Sequence, residues 1–210
     1  MAQKRFGIFS PIFESGDYLS LLNLDSNEAV TAVFAVVKCC RSSKTPHHEI
    51  VGLLDDANWR RHIVAAVAVS ALNYEPASMI KIWATFDSGS WVTPQLAVSA
   101  FLRDPNFSEL AKARILARCP LESSRLDSMT PLERHIAAGP AGMLPRSAKA
   151  AAELLRLVEL LQPHPEWLPT ERSSPDLVAL LADDVDRAAL IGEEWLAKLK
   201  AILQISRAKH

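Results

Sequence analysis

The sequence predicts an all-α protein of stacked antiparallel helical hairpins, and three observations carry that prediction. Two stretches, Leu53 to Leu72 and Thr85 to Leu102, resemble each other: each sets an Asp four residues before a Trp, then continues into an Ala- and Val-rich run. Trp59 and Trp91 lie 32 residues apart, a period at which self-similarity marks repeated helical hairpins. Helix-start signals recur along the chain, whereas only the Phe6–Phe9 stretch hints at a strand. The 210 residues include only 7 Gly, against abundant Ala and Leu, which favours helix over turn-rich architectures.

Taken in order, a first helix is expected over 17–23, followed by one over 26–41. Asp25-Ser26-Asn27-Glu28 has the acceptor-x-x-Glu form of a capping box. Thr45 can cap the next helix, 46–54, with Pro46 in the first position, where a missing N–H costs nothing. Helices are expected over 57–72, 76–86, 90–103 and 107–118, the last after an Asp104-Pro105-Asn106 turn. Thr130-Pro131-Leu132-Glu133 opens 131–138, and a further helix covers 146–161. Four prolines in 162–175 forbid a continuous helix there, although Trp167 and Leu168 suggest that the connection docks. Ser174-Pro175-Asp176 starts a capping helix pair over 175–206, divided into 175–183 and 184–206. Its second member offers Val185, Leu190, Trp195, Leu196, Leu199 and Leu203 as a buried stripe. The connections are short, so neighbouring helices should run antiparallel in one domain, 1–210.

Composition narrows the function. With 49% hydrophobic and 22% charged residues the chain is globular, and its net charge of −1 argues against a dedicated nucleic-acid binder. The longest apolar run, Ile63 to Leu72, is too short to span a membrane. Lys4 and Arg5 are followed by a stretch broken at Ser10, Pro11 and Glu14, unlike the apolar segment of a signal peptide. Three cysteines, two of them adjacent, make no disulfide framework, and a cytoplasmic location is expected.

Trp59 and Trp91 are the first candidates for a binding face, since Trp is enriched at interface hot spots. Periodic aromatics on helices more often mark the core, and that reading makes them seals between hairpins. Asp55 and Asp87 are read as acids on one ridge or, more simply, as helix caps. Arg60, Arg61 and His62 could serve a phosphate beside Trp59, but Asp55 and Asp56 offer them local ion-pair partners. Cys39-Cys40 with His47-His48 has metal-ligand residue types in no standard zinc spacing, so no metal and no cofactor are expected. A glycine-rich phosphate loop, a nucleophile elbow and a His-Glu-x-x-His motif are all missing from the sequence.

Aligning Trp59 with Trp91 pairs Val64 with Leu96, Ala65 with Ala97, Ala66 with Val98 and Ala68 with Ala100. Arg134 to Ala138 weakly echoes Arg61 to Ala65. Leu53, Leu54, Asp55, Asp56, Trp59, Arg60, Ala65 and Ala68 resemble a HEAT-like repeat, a resemblance that covers about residues 26–118. The second copy departs from it at Val92, Thr93 and Pro94. The resemblance implies a HEAT-like α-α solenoid, a right-handed superhelix used mostly for protein–protein contact. The expected function is therefore a protein-binding scaffold or adaptor, with Trp59, Arg60, Arg61, Asp87 and Trp91 as the binding residues. A HEAT-like nucleic-acid enzyme, such as a base-excision glycosylase, is the alternative, and self-association through an apolar flank is a third.

Overall fold

The computed structural model describes residues 6–118, 146–162 and 175–208. Among these the fold is all-α, with nine α-helices packed against one another and no strand. We label them α1 (Ser10–Ser15), α2 (Asn27–Ser42), α3 (Pro46–Leu54), α4 (Trp59–Ala71), α5 (Pro76–Asp87), α6 (Thr93–Arg103), α7 (Phe107–Arg118), α8 (Arg146–Leu161) and α9 (Pro175–Ala208).

The start of the chain differs from expectation. The Phe6–Phe9 stretch forms a 3-10 turn, Gly7–Phe9, and the helix expected at 17–23 is only the 3-10 turn Asp17–Leu19. The unforeseen α1 begins with Pro11 in its first turn and ends at Gly16, whose φ of 81° suits a left-handed cap. The cap of α2 is Ser26, whose hydroxyl accepts from the Ala29 N–H at 3.3 Å; Asp25 instead pairs with Lys198. Thr45 stands at the N-cap of α3 without a side-chain capping bond. The expected 131–138 helix, the Arg134–Ala138 echo and residues 163–174 of the proline-rich connection lie outside the described residues.

Two hairpins, α3–α4 and α5–α6, stack so that α3 lies against α5 and α4 against α6. Nine consecutive residues of α4, His62 to Ser70, are buried, which makes it a central helix with no solvent face along that stretch. Helices α4 and α6 pack together, and Ala65, Ala66 and Ala68 of the first and Ala97 and Ala100 of the second are all buried, small residues that allow backbones to approach closely. There the Ser70 and Ser99 hydroxyls lie 3.1 Å apart, and both reach the Ala66 carbonyl, at 2.8 and 2.9 Å.

Polar links between the layers follow the same spacing. Thr85 donates to the Leu54 carbonyl across 31 residues, and Arg103 to that of Ser70 across 33. Asp55 pairs with Lys81 of α5, and Asp87 pairs with Arg114 of α7. The two acids end α3 and α5 rather than capping α4 and α6, so the capping reading fails for both. The cap of α4 is Asn58, whose side-chain oxygen accepts from the Arg60 N–H at 3.1 Å.

The C-terminal stretch is one helix, not two: no Gly or Pro interrupts it around residue 183, so nothing breaks its hydrogen-bond ladder. Along it Ala189, Trp195, Leu196, Leu199, Ile202 and Leu203 are buried, whereas Leu190, expected in the stripe, is half exposed. Helix α9 packs on α8 and α6 and also reaches α2. The Trp195 indole donates to the Leu21 carbonyl at 2.8 Å, across 174 residues of chain. A repeat array whose units met only their neighbours would have no such contact. A methyl group at Gly192 would come within 2.9 Å of Leu157 and 3.4 Å of Pro94, so glycine permits this close crossing.

Candidate functional site

The turns that open α4 and α6 lie side by side, and each is organised by its own polar side chains. In the first, Asp56 Oδ1 accepts from the Asn58 N–H at 2.8 Å, and Oδ2 pairs with the Arg61 guanidinium at 2.8 Å. In the second, Gly89 adopts a φ of 74°, and the Ser88 hydroxyl donates to the Thr85 carbonyl at 2.7 Å.

His62 joins the two turns. Its Nε2 meets the backbone carbonyl of Asp56, which only accepts, so Nε2 carries the proton. Nδ1 is then the acceptor, and the Ser90 hydroxyl donates to it across 2.8 Å. Burial lowers the pKa of His62 below its ordinary 6.5, against the raising effect of the Asp56 carbonyl. The ring is therefore neutral at pH 7 and acts as a clasp. Only 4% of His62 is exposed.

Between the turns runs an open groove of about 510 Å³. Trp59, Ala57 and Leu54 line one wall; Ala84, Ser90 and Trp91 line the other. Trp59 is half-buried against the core, and its ring meets the edge of Tyr18 at 6.5 Å. Trp91 is 80% exposed. Of the two tryptophans expected in the core, Trp59 packs partly against it and Trp91 does not. Pro94 sits in the first turn of α6, which begins at Thr93; α4 begins at Trp59 itself. Trp91 is consequently left in the turn ahead of its helix.

The other sequence candidates divide. Arg60 is exposed and stacks over Trp59, with its guanidinium carbon 4.9 Å from the ring centroid. Arg61 turns towards Phe6, 4.9 Å from that ring, and lines a separate cavity of about 600 Å³ with His48 and Glu49. Asp87 is outside the groove lining and is engaged by Arg114, Nε to Oδ1 at 2.9 Å and Nη2 to Oδ2 at 3.1 Å. Trp59 and Trp91 line the groove together, Arg60 stacks on Trp59 but is outside that lining, and Arg61 and Asp87 do not join them.

Sequence reasoning missed Ser90, Lys81 and the clasp role of His62. One signal was available: a polar residue, Asn58 or Ser90, stands directly before the Trp in each copy. Among the described residues no three His, Cys, Asp or Glu side chains converge on one point. Burial pushes the Cys40 thiol up to about 12, far from the range of a ready metal ligand. No described helix is long and apolar enough to cross a membrane. No protein family, no curated protein and no solved structure matches the chain.

Proposed function

We propose that this chain is a HEAT-like helical-repeat scaffold that binds another protein through the groove between Trp59 and Trp91. The observation that carries the proposal is the 80% exposure of Trp91 on the rim of that groove. Burying a side chain of this size would gain about 2–3 kcal/mol, which the isolated chain forgoes. A large apolar side chain held beside a concavity on a well-braced turn has the form of an interface anchor. The HEAT-like part of the reading is supported by the stacked hairpins and by the repeated Asp–cation links, Asp55 to Lys81 and Asp87 to Arg114.

The test is affinity capture from native lysate, with and without nuclease, using the wild type beside Trp91→Ala. A protein retained by the wild type after nuclease, and lost by a variant of unchanged melting temperature, is the expected result. Capture that disappears with nuclease would move the function to nucleic acid. Equal capture by both forms would remove the groove from the account.

A further inference from the structure

The clasp between the two turns has the parts of a hydrolytic dyad. Ser90 is partly exposed on the groove, and its hydroxyl donates to His62 Nδ1 at 2.8 Å. The Asp56 carbonyl fixes the ring proton on Nε2, so Nδ1 presents its lone pair to that hydroxyl. Burial keeps the ring neutral at pH 7, the form that can take a proton from an alcohol. A nucleophile, a base and a group that orients the base thus stand in series along the groove. A second Ser–His contact among the described residues lacks this arrangement. His47 Nδ1 lies 3.1 Å from Ser78 Oγ, but Ser78 is 1% exposed and the Glu75 carboxylate approaches that same nitrogen, at 3.9 Å.

The backbone around Ser90 adds donors. Gly89 turns the chain at a φ of 74°, and Ser90 follows it just ahead of α6, at the positive end of that helix's dipole. The Val92 N–H reaches Ser90 Oγ at 3.4 Å, and the Trp91 N–H has no hydrogen-bond partner among the described residues. The N–H of the residue after a nucleophile is a common donor to an oxyanion. We infer that the groove hydrolyses carboxylic esters, with Ser90 as nucleophile, His62 as general base and the Trp91 N–H as a donor to the oxyanion. Trp59 and Trp91 give the groove apolar faces for an acyl or aryl group. In the first step Oγ bonds to the ester carbon while its proton passes to Nδ1. The bond from that carbon to the alcohol oxygen then breaks, and the alcohol leaves with the Nδ1 proton. Water attacks the acyl carbon and gives a proton to Nδ1; the acid departs as Oγ recovers that proton. A main-chain carbonyl orients the ring without the charge of a triad carboxylate, so the imidazolium is stabilised less. Esters with good leaving groups should therefore turn over, and amides should not. This activity goes beyond protein binding and does not depend on it.

The test is labelling of the full chain with an alkyl fluorophosphonate, read by peptide mass mapping, beside turnover of p-nitrophenyl butyrate. An adduct on Ser90 and none on Ser78 is the expected result. Ser90→Ala should abolish that adduct and slow turnover about 100-fold or more, and His62→Gln should slow both reactions about as much. Thermal melts check that these variants fold. Ser90→Cys keeps a donor towards His62, and a thiol there should take iodoacetamide at pH 7 about tenfold or more faster than glutathione does. No adduct on Ser90, turnover unchanged in Ser90→Ala or His62→Gln, or a thiol at position 90 no more reactive than glutathione would each overturn the inference. All of these outcomes leave the protein-binding reading standing.

Discussion

The Ser90 hydroxyl and His62 Nδ1 meet at 2.8 Å, which ties the turn ahead of α6 to the first turn of α4 and fixes the width of the groove. Protonating Nδ1 would remove the lone pair that accepts from Ser90, whereas the Nε2–H bond to the Asp56 carbonyl would persist. Because burial holds the folded pKa below 6.5, the unfolded chain binds this proton more readily. The stability His62 contributes is complete above pH 6.5 and declines as pH falls below it. Denaturant titrations between pH 7.5 and 5.5 should show a slope from this site of at most about 1.4 kcal/mol per pH unit. His62→Gln, which keeps a donor and an acceptor, should be less stable at pH 7.5 and lose less on acidification. Parallel pH curves for the two proteins would rule out His62 as the source.

Trp91 and Trp195 should respond oppositely to truncation. Trp195 is 1% exposed and bonded to the Leu21 carbonyl, so Trp195→Ala should cost about 3–5 kcal/mol. Trp91→Ala should change stability by no more than about 0.5 kcal/mol, as expected for an exposed side chain. Chemical denaturation of both variants would measure the contrast, and a large loss in Trp91→Ala would mean that its ring is structural.

The two Asp–cation links should differ in strength. Asp87 with Arg114 is two-pronged and mostly buried, and the guanidinium lies 4.2 Å over the Trp83 ring. Asp55 with Lys81 is about half exposed. Double-mutant cycles should give a coupling of about 1–3 kcal/mol for the first and about 0–1 kcal/mol for the second. Equal couplings would show that burial and fork geometry do not set the ranking.

Cys40 should resist alkylation in the folded protein. Its thiol is pushed up to about 12, first by burial and then by the neighbouring Cys39. Iodoacetamide at pH 8 followed by mass spectrometry should find Cys40 modified only after denaturant is added. Modification at the rate of a free thiol under native conditions would place Cys40 in contact with solvent.

The helices of the two hairpins were legible because their starts and stops are local chemistry. Pro46, Pro76 and Pro94 mark first turns, and the matched small residues Ala65 with Ala97 and Ala68 with Ala100 are all buried. The site was legible only in part. Trp59 and Trp91 look equivalent in sequence, yet where α6 begins is set by Pro94, and a start two residues later than in α4 changes a braced ring into an exposed one. The links of Asp55 and Asp87 to the next hairpin needed the stacking of layers, which a residue pattern does not specify. The continuity of α9 was misread because clustered acids at 183, 184 and 186 resemble a new start, although acids alone do not end a helix.

The contact between Trp195 and Leu21 makes the order of synthesis matter. A chain leaves the ribosome from its N-terminus, and the seat at Leu21 to Asp25 stays unfilled until α9 has followed, some 174 residues later. A translation product that stops before α9 could stack its hairpins and still expose that apolar seat. Chaperones and proteases read such surfaces, so the last helix also reports that the chain has been made through to α9.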